Sequence, residues 1–180
     1  MKLAIIIAST RPGRLGPAVA AWFEDFANNH TSFDIDVLDL ADINLPMFDE
    51  PLPPMMDQYA NNHTKAWAKH VAAADAFVIV TPEYNYSMPP ALVNAVDYLH
   101  KEWKYKPVGF VGYGGVGAAR AIEMEKQLFS ALHMVPLHDS VLFPATFAPM
   151  KLAPTEHQEH AAKSMLSELE KWATATRTMR

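Results

Sequence analysis

The 180-residue chain predicts an α/β fold: a parallel sheet of five strands between two layers of helices, a three-layer sandwich. Three observations carry that reading: short continuous apolar runs suited to burial on both sheet faces, amphipathic segments between them, and a strand-then-helix order that repeats five times. Lys2–Ala8 is the first run, and Arg11-Pro12-Gly13-Arg14 follows at once without a small-residue cleavage pattern, so it reads as a strand rather than a secretion signal. Pro17–Asn28 is the first helix, with Val19, Trp22, Phe23 and Phe26 recurring at helical spacing as core residues. The second strand, Phe33–Asp39, leads into a proline-rich connection from Ala41 to Asp57 and then a helix over Gln58–Ala74. The apolar run Ala76–Val80 holds the third strand, Phe77–Val80. Beyond it Pro82 biases Thr81 out of helical space, and Pro89 and Pro90 open a helix over Pro89–His100, whose first N–H groups need no partner. Pro107–Val111 is the fourth strand, followed by the glycine cluster Gly112–Gly117 and a helix over Ala118–Leu132. A last strand near Leu137–Leu142 and a polar helix near Thr155–Thr176 complete the order.

Half of the residues are apolar, enough for one domain with its own core over residues 1–180, and no repeat, low-complexity tract or linker divides it. A net charge of -5, with no Lys/Arg cluster beside exposed aromatics, gives no electrostatic reason to expect nucleic acid. Without cysteine there is no thiolate nucleophile, disulfide or Cys-bound metal. No apolar segment nears the roughly 20 residues needed to cross a bilayer, so a cytoplasmic protein is expected. His157 and His160 share a helix face but lack a third ligand, and no metal site is expected there.

Five alternating units suggest the flavodoxin-like strand order 2-1-3-4-5. In such sheets ligands bind beyond the carboxyl ends of the strands, beside the point where strand order reverses. The loops after strands one, three and four, Ser9–Gly16, Thr81–Met88 and Gly112–Gly117, should therefore converge.

The first loop joins Ser9, Thr10, Arg11 and Arg14 to a helix N-terminus at Gly16 and Pro17, an arrangement suited to an anion. It lacks Gly-x-x-x-x-Gly-Lys-Ser/Thr, which favours a monophosphate over a triphosphate. The third-strand loop is stiffened by proline and carries Tyr84, Asn85 and Tyr86, groups that suit a flat heteroaromatic ligand with acceptors at its edge. Gly112-Tyr113-Gly114-Gly115-Val116-Gly117 satisfies Gly-x-Gly-x-x-Gly, and Asp139 falls near the spacing of a ribose-binding acid. Its place after the fourth strand leaves too little chain for a dinucleotide-binding half. The competing readings are a close backbone approach to a planar ring at Gly114 and Gly115, and plain helix-strand packing.

Ser9-x-Arg11, then Pro82-Glu83-Tyr84-Asn85-Tyr86-Ser87 ahead of a helix bearing Leu92-x-Asn94-Ala95-x-Asp97, then Gly114-Gly115 followed by Ala119-Arg120-Ala121 resemble the NAD(P)H-dependent FMN reductases, a family of flavin, quinone, azo-dye and chromate reductases. The resemblance spans about residues 1–142. It implies bound FMN, NADPH or NADH as co-substrate, a small-molecule electron acceptor, and a homodimer or homotetramer with the flavin near the subunit interface. It places the phosphate on Ser9, Arg11 and the turn through Arg14, Gly16, Pro17, Ala18 and Val19. The isoalloxazine is placed against Pro82, Glu83, Tyr84 and Asn85, with Gly114 and Gly115 at another edge. The chain departs from many relatives at Arg14 and Gly16, where a small hydroxyl residue and an asparagine are common, and at Val93, where lysine is common.

The implied reaction is ping-pong hydride transfer from NAD(P)H to flavin N5 and on to the acceptor. The cofactor carries the chemistry, so no side chain is assigned as general acid or base. Backbone N–H groups at Tyr84, Asn85 and Gly115 are expected to stabilise charge on the reduced ring. Glu83 reads as a loop-orienting or dimer-interface residue, and Arg120 as a partner of the NADPH 2′-phosphate or a plain surface arginine. Leu45-Pro46-Met47-Phe48 with Met55 and Met56 reads as a wall over the acceptor site or as loop packing. The alternatives to a reductase are a flavodoxin-like electron carrier and a non-enzymatic module that kept the fold. A carrier docks through a dense acidic face, which the two loop arginines and the modest net charge disfavour.

Overall fold

Along β1 (Lys2–Ile7) every side chain beyond Lys2 is buried, and the alternation of the strand sends Leu3, Ile5 and Ile7 into one core and Ala4 and Ile6 into another. The computed structural model describes residues 1–149 and 151–180. After β1 come α1 (Gly16–His30), β2 (Asp34–Asp39), α2 (Leu40–Ile43), α3 (Asn62–Ala73), β3 (Ala76–Pro82), α4 (Pro90–Asp97), β4 (Pro107–Gly114) and α5 (Ala119–Ala131). β5 (Val135–Pro136), β6 (Val141–Pro144) and α6 (Glu156–Thr176) follow. The strands pair in parallel in the order β2-β1-β3-β4-β5, with β6 also on β4.

On one face Val19 and Phe23 of α1 and Met165 and Leu169 of α6 pack on Ile5, Val78, Val80 and Val111. A Cβ on Gly109 would lie 2.7 Å from Met165 Sδ, so this glycine lets α6 settle onto β4. On the other face Trp67 of α3, Leu92 and Val96 of α4, and Ile122 and Phe129 of α5 cover Ile6, Phe77, Ile79 and Phe110. Trp67 and Trp103 are both buried there, and their indole N–H groups donate to Ala95 O and Val96 O at 2.8 and 3.2 Å. Trp22, expected in the core, packs only partly buried against it, its ring meeting Phe143 edge-on.

The fifth strand, expected over Leu137–Leu142, is instead two short pieces. β5 pairs with Pro107 and Val108, and β6 with Val111 to Gly114, so the four residues from Leu137 to Ser140 span a gap of two, Gly109 and Phe110, on β4. The surplus is looped out at His138 and Asp139, both exposed. α3 begins at Asn62 rather than Gln58, because the Glu50 carboxylate accepts the N–H groups of Ala60 and Asn61 at 2.7 and 3.0 Å and holds the chain extended there. α2 was not expected within the proline-rich connection. The Asp39 side chain starts it by accepting the Ala41 N–H at 2.9 Å. Among the described residues no helix is long and apolar enough to cross a membrane.

Candidate functional site

Three loops meet at the carboxyl ends of β1, β3 and β4, where the strand order reverses. The Ala8 N–H still reaches Val80 O at 3.0 Å, so Ser9 leaves the sheet fully buried. A Cβ on Gly16 would collide with Ser9 Oγ and lie 2.9 Å from Ile7 Cγ2, so α1 can begin this close to the strand only with glycine. Tyr113, near the end of β4, donates its hydroxyl hydrogen to Ser9 Oγ at 3.0 Å. Burial pushes the Tyr113 phenol up to about 12, against the Ser9 hydrogen bond, so it remains a donor at any working pH.

The cap position of α1, Leu15, offers no side-chain hydrogen bond. Pro17 has no N–H, and the Ala18 N–H bonds Leu15 O at 3.0 Å, so the Gly16 N–H and the positive end of the helix dipole are what α1 presents. Pro17 and Ala18 are exposed at this end, whereas Val19 points into the core. Arg11 is exposed and, with Tyr84, Asn85, Ser87, Met88 and Pro90, lines an open crevice of about 570 Å³. Arg14 is differently employed. Its guanidinium pairs with Asp39 at the end of β2 and ties the loop to that strand.

Pro82 ends β3, and Tyr84 and Ser87 then exchange two backbone hydrogen bonds of 2.9 Å across a two-residue turn. Asn85 and Tyr86 at its tip have φ values of 51° and 64°, the left-handed pair of a type I′ turn. The Tyr84 N–H, expected to face the ligand, is therefore spent inside the hairpin on Ser87 O. The Asn85 N–H has no backbone partner among the described residues. The Tyr84 hydroxyl is buried and has no hydrogen-bond partner among the described residues.

Glu83 turns away from the hairpin tip. Its carboxylate accepts the Arg120 N–H at 3.1 Å and Arg120 Nε at 2.7 Å, which caps α5, whose own cap residue Ala118 supplies no side-chain bond. The Arg120 guanidinium also lies 3.8 Å from the centroid of the Tyr86 ring. Burial acts to raise the Glu83 pKa, but the Arg120 and Ala121 hydrogen bonds hold it below the ordinary carboxylate value. Glu83 thus orients the loop, and Arg120 is neither free nor plain surface.

The glycine cluster divides by role. A Cβ on Gly112 would collide with Gly117 O, and one on Gly117 would lie 2.9 Å from Leu142 Cβ, so both serve close packing. Among the described residues Gly114, at φ +121°, has nothing within 4 Å of a Cβ, and Gly115 only Phe147 at 3.7 Å, so these two leave bare backbone. Asp139 lies ahead of β6, whose opposite end pairs with Gly114, and it bonds His138 instead of attending the glycines. That separation removes the structural basis for a dinucleotide fingerprint. Tyr113 was missed as a site residue, although its place on the Val111 face of the strand, one step before Gly114, was a readable signal.

A doubly wound parallel sheet in the order β2-β1-β3-β4-β5, with an arginine-bearing loop and a rigid aromatic hairpin at its reversal point and bare glycines at the end of β4, defines a protein of the flavodoxin-like class. The model of the family described as NADPH-dependent FMN reductase matches residues 1–148, and the chain belongs to that family. It is accordingly an oxidoreductase of the class that uses FMN and NAD(P)H. An NAD(P)H-dependent FMN reductase of Schizosaccharomyces pombe is 42% identical over 135 residues, 74% of this chain and 68% of that one. A 2-hydroxy-1,4-benzoquinone reductase of a Burkholderia species is 30% identical over 128 residues, 67% of this chain and 66% of its own length. Among solved structures, the flavoenzyme NAD(P)H:(acceptor) oxidoreductase from Paracoccus denitrificans superposes with a TM-score of 0.75 at 21% identity, covering 97% of this chain and 98% of that one, a likeness of fold.

Proposed function

We propose that the crevice at the ends of β1, β3 and β4 holds FMN and serves the transfer of electrons from NAD(P)H to a small-molecule acceptor: a quinone, an azo compound, free flavin or a metal oxyanion. The observation that carries this reading is the open crevice of about 570 Å³ in which Arg11 of the first loop meets Tyr84, Asn85 and Ser87 of the hairpin. The Tyr84 hydroxyl, buried and without a partner among the described residues, leaves an unsatisfied polar group on a residue that lines the crevice.

Ser9, Arg11, Gly16, Pro17 and Ala18 would hold the phosphate, with Arg11 supplying charge, Gly16 its N–H and Pro17 and Ala18 the exposed edge of the helix end. Arg14 and Val19 would act from behind, one fixing the loop to Asp39 and the other anchoring the helix in the core. Pro82, Glu83, Tyr84 and Asn85 would form the wall against the ring, held rigid by the Tyr84–Ser87 hairpin and by Glu83 on α5. Bound FMN supplies hydride acceptance from NAD(P)H and onward delivery to the acceptor in ping-pong order. The benzoquinone reductase relative supports a quinone among the acceptors.

The assembly we propose is a homodimer or homotetramer of one FMN-binding domain over residues 1–180, acting in the cytoplasm. Supporting it, Pro53, Met55, Val96, Leu99, Leu128 and Leu132 line an apolar groove of about 290 Å³ between α4 and α5, and Met55 is 70% exposed. The test is the absorbance spectrum of the purified protein together with NADPH and NADH oxidation in the presence of FMN and a quinone. Flavin bands with quinone-dependent turnover support the reading. Reducible flavin without turnover favours the electron carrier, and a protein with no affinity for FMN favours the non-enzymatic module.

A further inference from the structure

Beneath the hairpin lies an acid that the proposed site does not use. Glu125 of α5 is fully buried, with Oε1 2.6 Å from Thr81 Oγ1 at the end of β3 and Oε2 without a partner among the described residues. Thr81 Oγ1 is also 3.2 Å from Pro82 O. A threonine hydroxyl has one hydrogen and cannot donate to both acceptors. Both contacts of Thr81 are made when Glu125 carries a proton on Oε1 and donates it to Thr81, which then donates to the Pro82 carbonyl, and the unpartnered Oε2 is then an uncharged carbonyl oxygen.

Among the described residues no charged group acts on the Glu125 carboxyl beside burial and the Thr81 bond. On α5, Arg120 is engaged with Glu83, and Glu123 pairs with Lys126. On α4, Asp97 is exposed and the Tyr98 hydroxyl bonds Asp49. β3 and β5 carry no titratable residue, and β4 has only Tyr113, which bonds Ser9 within the core on the opposite face. Burial, countered only by the Thr81 bond, pushes the Glu125 carboxyl up to about 8, which leaves it mostly neutral at pH 7.

We propose that Glu125, acting through Thr81, is a positioning residue for the flavin wall: the neutral acid holds the Pro82 carbonyl inward, and its ionisation releases that peptide. The proposal rests on the FMN reading above. In a trans peptide C=O and N–H point in opposite directions. Holding the carbonyl therefore also fixes the Glu83 N–H, and with it the direction in which the chain leaves β3, beside Tyr113 of β4, for the hairpin. An ionised Glu125 is an acceptor only. It then draws the Thr81 hydrogen to itself and frees Pro82 O.

The test is FMN affinity, read by flavin fluorescence quenching from about pH 7 to about pH 9, a window in which a phosphate with a second pKa of about 6 is already a dianion. Wild-type affinity should fall by about tenfold across it as Glu125 ionises. Glu125→Gln keeps an N–H donor that cannot ionise, and its affinity should stay level. Thr81→Val breaks the relay, and its affinity should be weak and level throughout. Glu125→Gln tracking the wild-type profile, or Thr81→Val binding as tightly as wild type at the lower pH, overturns the proposal while FMN binding stands. Failure of all three proteins to bind FMN at any pH overturns the flavin reading and the proposal with it. Infrared spectroscopy gives a readout independent of FMN. A protonated-carboxyl band at neutral pH, present in wild type and absent in Glu125→Gln, supports the neutral acid, and its absence from wild type overturns it.

Discussion

Tyr113 and Ser9 share a hydrogen bond of 3.0 Å between residues 104 positions apart, and it decides where the serine sits. Because Tyr113 donates, Ser9 Oγ is the acceptor, and the bond fixes the buried serine at the base of the first loop. Tyr113→Phe removes that constraint without changing the shape of the strand end. FMN affinity should weaken by about fivefold, corresponding to roughly 1 kcal/mol for one neutral hydrogen bond. Equilibrium titration checks this, and turnover at saturating FMN should be nearly unchanged.

The two arginines of the first loop should separate cleanly. Arg11 is exposed in the crevice, and Arg11→Ala should weaken FMN binding by roughly 30-fold, or about 2 kcal/mol, while leaving apoprotein melting unchanged. Arg14 is tied to Asp39, so Arg14→Ala should lower the apoprotein Tm. Affinity titrations and thermal melts of both variants decide. Loss of affinity with Arg14→Ala alone would reverse the two roles.

Gly16→Ala should destabilise by about 1–3 kcal/mol, because the added methyl collides with Ser9 Oγ and crowds Ile7. A displaced Ser9 also leaves the phosphate loop, so FMN affinity should fall together with the Tm. Gly13 has a positive φ of 68° but open space around a Cβ, so Gly13→Ala meets only backbone strain and should disturb binding less.

Acid should loosen the hairpin through Glu83. Burial raises its pKa and the Arg120 and Ala121 hydrogen bonds lower it, with a net fall below the ordinary glutamate value. The unfolded chain therefore binds the proton first. The contribution of Glu83 is complete above the ordinary carboxylate pKa and is lost as pH falls through the depressed one. Melting curves of the apoprotein between about pH 3 and about pH 6 should show a steeper acid decline for wild type than for Glu83→Gln.

The three site loops were legible because each follows a strand buried on both faces and is marked by proline or glycine, local signals that survive without tertiary context. Pairings across long separations were not. Glu83 meets Arg120 across 37 positions and Arg14 meets Asp39 across 25, and a charged residue in a loop or on a helix reads equally well as solvated until the partner is placed. Glu125 lies in a stretch whose neighbours Glu123 and Lys126 mark it as a helix surface, yet the structure buries it completely. The broken fifth strand escaped notice because Leu137 to Leu142 is apolar at both ends, and only the pairing with β4 shows that two residues are in excess.

That break bears on how the protein behaves in a crowded solution. An outermost strand offers a row of unpaired amides on which another chain can add itself. Here the lane beyond β4 runs for two residues, swings out, and resumes for four, with Pro136 and Pro144 withholding an N–H in each piece. The opposite margin, β2, carries Asp34, Asp36 and Asp39, so one rim of the sheet is interrupted and the other negatively charged. Both rims are poor templates for runaway strand addition, and restoring a continuous border strand by deleting the surplus residues would invite aggregation.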